Sequence, residues 1–186
     1  TDFDLNSLSI NLESLNYYKP IDKNANLKIN AIFDRNKKII KNLKYNQFKN
    51  KITIKNLYLN NNYQINDFEE ILINILKNEI FNNDFGVYKK ENIINVSGKK
   101  YDATYFFKTL NEDGKSKTLN KKFGGKINFK INEIVSENET LFDFAGSGQI
   151  KSGKINKLTA KANFSDTEIV EISITPTSLN KKKLLI

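Results

Sequence analysis

Residues 25–33, ANLKINAIF, set Ala25, Leu27, Ile29, Ala31 and Phe33 at every second position, alternating with Asn26, Lys28 and Asn30. A period of two is the geometry of a β-strand with one face buried, because successive side chains point to opposite sides of the pleat. The pattern recurs along the whole chain. Leu8, Ile10 and Leu12 carry it near the N-terminus, followed by Leu43 and Tyr45, then Ile52 and Ile54. Ile127, Phe129 and Ile131 repeat it in the second half, then Phe142 and Phe144, then Leu158, Ala160, Ala162 and Phe164. Val170, Ile172 and Ile174 form the last full run, which Pro176 ends because proline cannot donate to a ladder. KKLLI at the C-terminus starts a further strand. Polar punctuation such as DRNKK and NNN at 60–62 separates the runs. One strand in roughly every ten to twelve residues is the spacing of antiparallel all-β architecture. Such strands either close into a β-sandwich or form one long curved sheet whose apolar face stays open as a groove.

Two stretches break the alternation. In DFEEILINILKNEI, residues 67–80, Phe68, Ile71, Leu72, Ile75, Leu76 and Ile80 fit an amphipathic helix with Asp67 as N-cap, while Ile71, Ile73 and Ile75 fit a strand face. In YDATYFFKTL, Asp102 is placed to cap a short helix near 103–110 carrying Tyr105, Phe106 and Leu110. A hairpin is expected from a strand near 85–89, a lysine-rich turn and a strand near 93–97. The polar run NEDGKSKTLNKK reads as a loop and as the expected site of proteolysis.

The segment GSGQIKSGK, residues 146–154, places Gly148, Gly153 and Lys154 at the spacing of a phosphate-binding loop. The chemistry is incomplete: Ile155 stands where a magnesium-binding hydroxyl belongs, and a strand pattern follows in place of a helix. Ser152-Gly153 therefore reads as a hairpin turn, with glycine supplying the positive φ.

The chain has no Cys, His, Met or Trp. Without His and Cys, most metal sites and most nucleophile–base pairs are unavailable. Glu69-Glu70, Asp166 with Glu168, and Ser147 with Lys151 are near one another only in sequence, in polar stretches or on an outer strand face. An enzyme is not expected. A glycan-active alternative would rest on Asp102 or Asp143. The net charge of +9 invites a nucleic-acid partner. Against this, Arg35 is the only arginine, and the lysines are scattered, with their tightest run at Lys181–Lys183. Lysine, asparagine and isoleucine are together what A/T-rich codons specify. No nucleic acid and no cofactor are expected. No apolar run is long enough to span a membrane, no signal peptide is visible at Thr1, and the lack of Met suggests a fragment of something longer.

The second half resembles the C-terminal region of the AsmA-like proteins of bacteria. The resemblance rests on Asn83-Asp84-Phe85, then Gly98 and Tyr101-Asp102-Ala103 before the short helix. It continues through the hairpin with Gly146, Gly148, Ile150, Gly153 and Ile155, and the closing positions Leu158, Ala160, Phe164, Asp166, Ile172, Ile174 and Pro176. It covers about residues 80–186, with looser echoes at Leu8, Ile10, Ala31, Phe33 and Asp34. It favours strand over helix for 67–80. It implies an N-terminal β-repeat segment, 1–65, and a C-terminal segment, 66–186, joined in one continuous sheet. It also implies a periplasmic protein anchored in the inner membrane by a helix outside this sequence, shielding phospholipid acyl chains on their way to the outer membrane. The groove would then be lined by Leu27, Ile29, Ala31, Phe33, Ile127, Phe129, Ile131, Leu158, Ala160, Val170, Ile172 and Ile174. A closed β-sandwich serving as an adhesive or structural binding module is the alternative, and it would make the same residues a sealed core.

Overall fold

The computed structural model describes all residues except 36, 78, 110–119, 138, 165–167, 177–181 and 186. The protein is built on one large, open β-sheet. Its strands are β1 (Asp2–Asp4), β4 (Asn26–Phe33), β5 (Lys38–Gln47), β6 (Asn50–Leu59), β7 (Ile65–Asp67), β8 (Glu70–Lys77), β9 (Ile80–Lys90), β10 (Ile93–Asp102), β11 (Gly125–Val135), β12 (Thr140–Lys151), β13 (Lys154–Asn163), β14 (Ile169–Pro176) and β15 (Lys182–Leu185). They pair in nearly sequential order, and β7 extends the edge of β6 beyond β8. The two alternatives of one sheet or two stacked sheets are thereby decided for one sheet, not closed into a barrel.

Two departures from the expected pattern matter. β10 and β11 run parallel, with Ile94 opposite Ile127 and Val96 opposite Phe129, so the sheet is mixed. Parallel neighbours need a long crossover, and the connection here contains the only helix among the described residues, α1 (Thr104–Thr109). The N-terminal alternation also does not join the sheet. Only β2 (Ile10–Leu12) and β3 (Tyr17–Lys19) pair, as a separate two-stranded ribbon bracketing a 3-10 turn at Glu13–Leu15, and Leu8 is exposed.

Within 67–80, residues 70–77 form strand β8, which pairs with β6 on one side and β9 on the other. β-branched Ile71, Ile73 and Ile75 then share one face, and Leu72 falls on the other, opposite Thr53 and Gly86. Helical spacing lost because two long neighbours offer this segment ladder hydrogen bonds on both edges, which an isolated amphipathic stripe cannot match. The expected hairpin at 85–97 is present but longer, and the sheet runs through position 65/66 without interruption.

Register carries one apolar row across much of the sheet: Ile54, Ile71, Val87, Val96, Phe129, Gly146, Ala160 and Ile172 stand side by side. Local irregularities reset the alternation where a strand bends. Asn56 takes a positive φ of 47°, and beyond it Leu57 and Leu59 rejoin the cluster that holds Ile54. Close strand approach at the curve needs glycine. A Cβ on Gly98 would lie 2.3 Å from the Asp84 carbonyl oxygen and 2.4 Å from Phe85 Cα.

Candidate functional site, an apolar trough

The apolar face is covered over one half of the sheet and recessed over the other. Over β4–β8, the N-terminal segment lies on the face. Leu5 and Tyr17 are buried against Tyr45, Ile52, Ile73 and Ile75, with Ile10, Leu12 and Leu15 packed alongside. The Tyr17 and Tyr45 hydroxyls share a hydrogen bond of 2.6 Å at the bottom of this contact. Burial pushes both phenols above their ordinary pKa. Lys19, buried nearby, spends its ammonium on the Leu8 and Pro20 carbonyls at 2.7 and 3.0 Å.

Over β9–β14 the face forms a trough of about 450 Å³. Its floor comes from Phe85 and Val87 on β9, Val96 and Tyr101 on β10, and Ile127, Phe129, Ile131 and Ile134 on β11. The far wall is Leu141, Phe144 and Ile150 on β12, Ile155 and Leu158 on β13, and Ile172 and Ile174 on β14. Leu15 and Ser14 of the 3-10 turn and Phe106 of α1 form the lip. Ser14 and the Tyr101 hydroxyl are the only side-chain polar groups in that lining. Water in such a space finds too few partners, since a buried water makes about three hydrogen bonds. The volume lies in the ~300–1,000 Å³ range of small-molecule sites.

One buried carboxylate pins the lip. Asp102, 2% exposed, ends β10 two residues before α1 begins. Its Oδ1 accepts the Thr104 amide at 3.0 Å, the capping role the sequence suggests. Its Oδ2 accepts the Asn16 side-chain amide at 2.8 Å and also that of Asn82. Next to it, Asn83 donates from Nδ2 to the Leu15 carbonyl at 2.7 Å and accepts the Asp102 amide at 3.1 Å. Burial alone would raise the Asp102 pKa, but the hydrogen bonds from Thr104, Asn16 and Asn82 outweigh it and hold the carboxyl below its ordinary value. Tyr101, beside it and facing the trough, is pushed up to about 12 by burial and by the Asp102 charge.

The sequence-derived lining residues divide accordingly. Ile127, Phe129, Ile131, Leu158, Ile172 and Ile174 line the trough. Ala160 is buried in the same cluster, and Val170 packs against it. Leu27 instead packs into the half sealed by the N-terminal segment. Ile29 and Ala31 are half-buried on β4 outside the trough, and Phe33 is 56% exposed at the strand's end. β4 lies at the far side of the sheet, beyond β5, β6 and β8, so local alternation there reports a face but not this cavity. Phe85, Val87 and Val96 carry the same alternation in FGVYKK and INVSG. Ser14 and Leu15 have no local signal, because their place depends on the N-terminal ribbon docking.

Ser152 and Gly153 both have positive φ, 54° and 71°, and form the two-residue turn of hairpin β12–β13. The Gly153 amide, which a phosphate loop would aim at an anion, donates to the Phe123 carbonyl at 2.8 Å. Glu70 pairs with Lys55 at 2.7 Å and Glu69 accepts the Asn56 amide at 2.6 Å. Ser147 lies on the polar face opposite Asn128 and Thr159, four residues from Lys151 along one strand. Asp143 is exposed and accepts Asn163 at 3.3 Å, Arg35 is exposed, and Asp166, Lys181 and the loop at 111–119 lie outside the described residues. Among the described residues no three acidic groups gather as a metal site, and no helix is long and apolar enough to cross a membrane.

Comparison with protein families, curated proteins and solved structures finds no match.

Proposed function

We propose that this chain shields the acyl chains of lipids in the β9–β14 trough, as a segment of a longer carrier of phospholipids between membranes. The observation that carries the reading is the trough itself, about 450 Å³ with an almost wholly apolar lining, on a sheet whose other half is sealed. An acyl chain leaving a bilayer exposes apolar surface worth roughly 0.8 kcal/mol per CH₂. An apolar channel lowers that cost without any chemical step, and an aliphatic wall discriminates little among chains. The resemblance of residues 80–186 to AsmA-like proteins supports placing the chain in the bacterial periplasm, anchored to the inner membrane by a helix outside this sequence.

The test is native mass spectrometry of protein purified without detergent, alongside Val96→Phe. Val96 is half-buried on the trough floor, so the larger ring fills the space without adding charge. Co-purified phospholipid in the parent protein and its loss in a folded Val96→Phe variant is the expected result. Absence of bound lipid in the parent, together with no binding of a hydrophobic dye, overturns the proposal.

A further inference from the structure

The trough does not end at Ile134, Leu141 and Ile172. The same three side chains also wall a second recess, of about 530 Å³, between hairpin β11–β12 and α1. Its other apolar side is Phe164 and Val170, but its rim is polar: Thr104 and Lys108 from α1, and Ser136, Glu137 and Glu139 from the hairpin turn. Both signs of charge therefore meet an apolar wall continuous with the trough. Lys108 Nζ and Glu137 Oε1 face each other as an ion pair, each side chain more than half exposed. Glu139 closes the same turn, where the Ser136 amide donates to its carbonyl at 2.8 Å.

We infer that this recess is the headgroup subsite of the trough and that it takes a zwitterionic lipid, phosphate toward Lys108 and ammonium toward Glu137 and Glu139. The inference rests on the acyl-chain reading above. An anionic headgroup would meet one cation flanked by two carboxylates, and a fatty-acid carboxylate would meet the same repulsion. A neutral glyceride would leave the rim charges to each other. A phosphoethanolamine head replaces the Lys108–Glu137 contact by two contacts of its own and brings a cation to Glu139. Its glycerol end would then sit against Ile134 and Leu141, where the apolar wall begins.

The experiment is titration of the whole chain with lysophosphatidylethanolamine, lysophosphatidylglycerol and the free fatty acid of the same chain length, followed by calorimetry. Exposed charge pairs are weak, so the expected preference for the ethanolamine lipid is about two- to fivefold per contact. The double variant Glu137→Gln/Glu139→Gln should erase the preference by weakening the ethanolamine lipid and tightening the glycerol lipid, and Lys108→Gln should weaken both phospholipids together. Equal or tighter binding of the glycerol lipid, or an ethanolamine-to-glycerol ratio unmoved by the double variant, overturns the headgroup assignment and leaves the trough reading intact. Binding of none of the three overturns the trough reading and the subsite with it.

Discussion

Removing the Asp102 carboxylate tests whether the lip of the trough is held as the geometry implies. In Asp102→Ala, three donors lose their acceptor: the Thr104 amide and the side-chain amides of Asn16 and Asn82. Asn16 is exposed and can turn to water, so its loss costs little. Asn82 and Thr104 are half-buried, and each unsatisfied donor there costs about 1–2 kcal/mol. The expected destabilisation is therefore about 2–4 kcal/mol, a sizeable part of the ~5–15 kcal/mol that a domain has in total. Asp102→Asn should be milder, about 1 kcal/mol, because Oδ1 still caps Thr104 and the facing Asn amides can rotate to accept. The two variants also differ from the parent in pH dependence. The folded pKa of Asp102 is depressed, so its contribution is present above the unfolded value near ~3.9 and is lost as pH falls through the folded value. The Asp102→Asn deficit should accordingly shrink between about pH 5 and the acid limit. Urea unfolding across pH measures this, and hydrogen exchange of residues 5–25 reports whether the N-terminal segment loosens. An Asp102→Ala variant within about 0.5 kcal/mol of the parent at pH 7, or a deficit independent of pH, refutes the reasoning.

Three further outcomes follow from the same structure. Gly98→Ala places a methyl 2.3 Å from a neighbouring strand's carbonyl oxygen, so it should destabilise by about 1–3 kcal/mol in urea, and a neutral result would mean the sheet is less tightly curved. Phe129→Ala, which removes a half-buried ring packed edge-on to Phe144 at 6.0 Å, should cost about 3 kcal/mol in urea unfolding, and a loss under about 1 kcal/mol would mean that the ring is not packed. Tyr101 gives an alkaline signature: its folded pKa is about 12, so stability should be full below pH ~10 and fall as pH rises toward 12, and Tyr101→Phe should remove part of that slope in alkaline unfolding curves.

The trough lining and the cluster packed around it were legible in the sequence wherever strands are regular. Ile127, Phe129 and Ile131, then Leu158, Ala160, Ile172 and Ile174, alternate without interruption, and period two fixes a common face. It was not legible where the backbone departs from that period. The β4–β5 register slips between Asn30 and Ala31, and Asn56 turns left-handed, so positions counted from one end of these strands do not fix the face at the other. Nor does alternation say which part of a face is covered. Leu27 and Ile127 have equivalent local patterns, yet Leu27 packs beneath the N-terminal segment and Ile127 faces the trough. The segment at 67–80 carried two valid periods at once, and only its neighbours on both edges selected the strand. The parallel β10–β11 pair was hidden for a related reason: a crossover of this length permits either direction, and nothing in the local pattern INVSG of β10 encodes the choice.

A one-sheet protein must solve a problem that a sandwich avoids, because its apolar face has no second sheet to meet. This chain solves it unevenly. The N-terminal segment gives β4–β8 a second layer through Leu5, Leu12, Leu15 and Tyr17, but its 3-10 turn ends the cover at Ser14 and Leu15, where Asn16 and Asn83 tie it to the Asp102 corner. Beyond that corner, among the described residues, α1 adds Phe106 and the rest of the face curls upon itself around a space. The face around that space is free of charge, while lysine and asparagine fill the opposite face at Asn95, Asn128, Lys130 and Lys161. A lining that excludes charge, an edge that carries both signs, and a lip anchored by a buried carboxylate are together the features on which the proposed lipid reading rests.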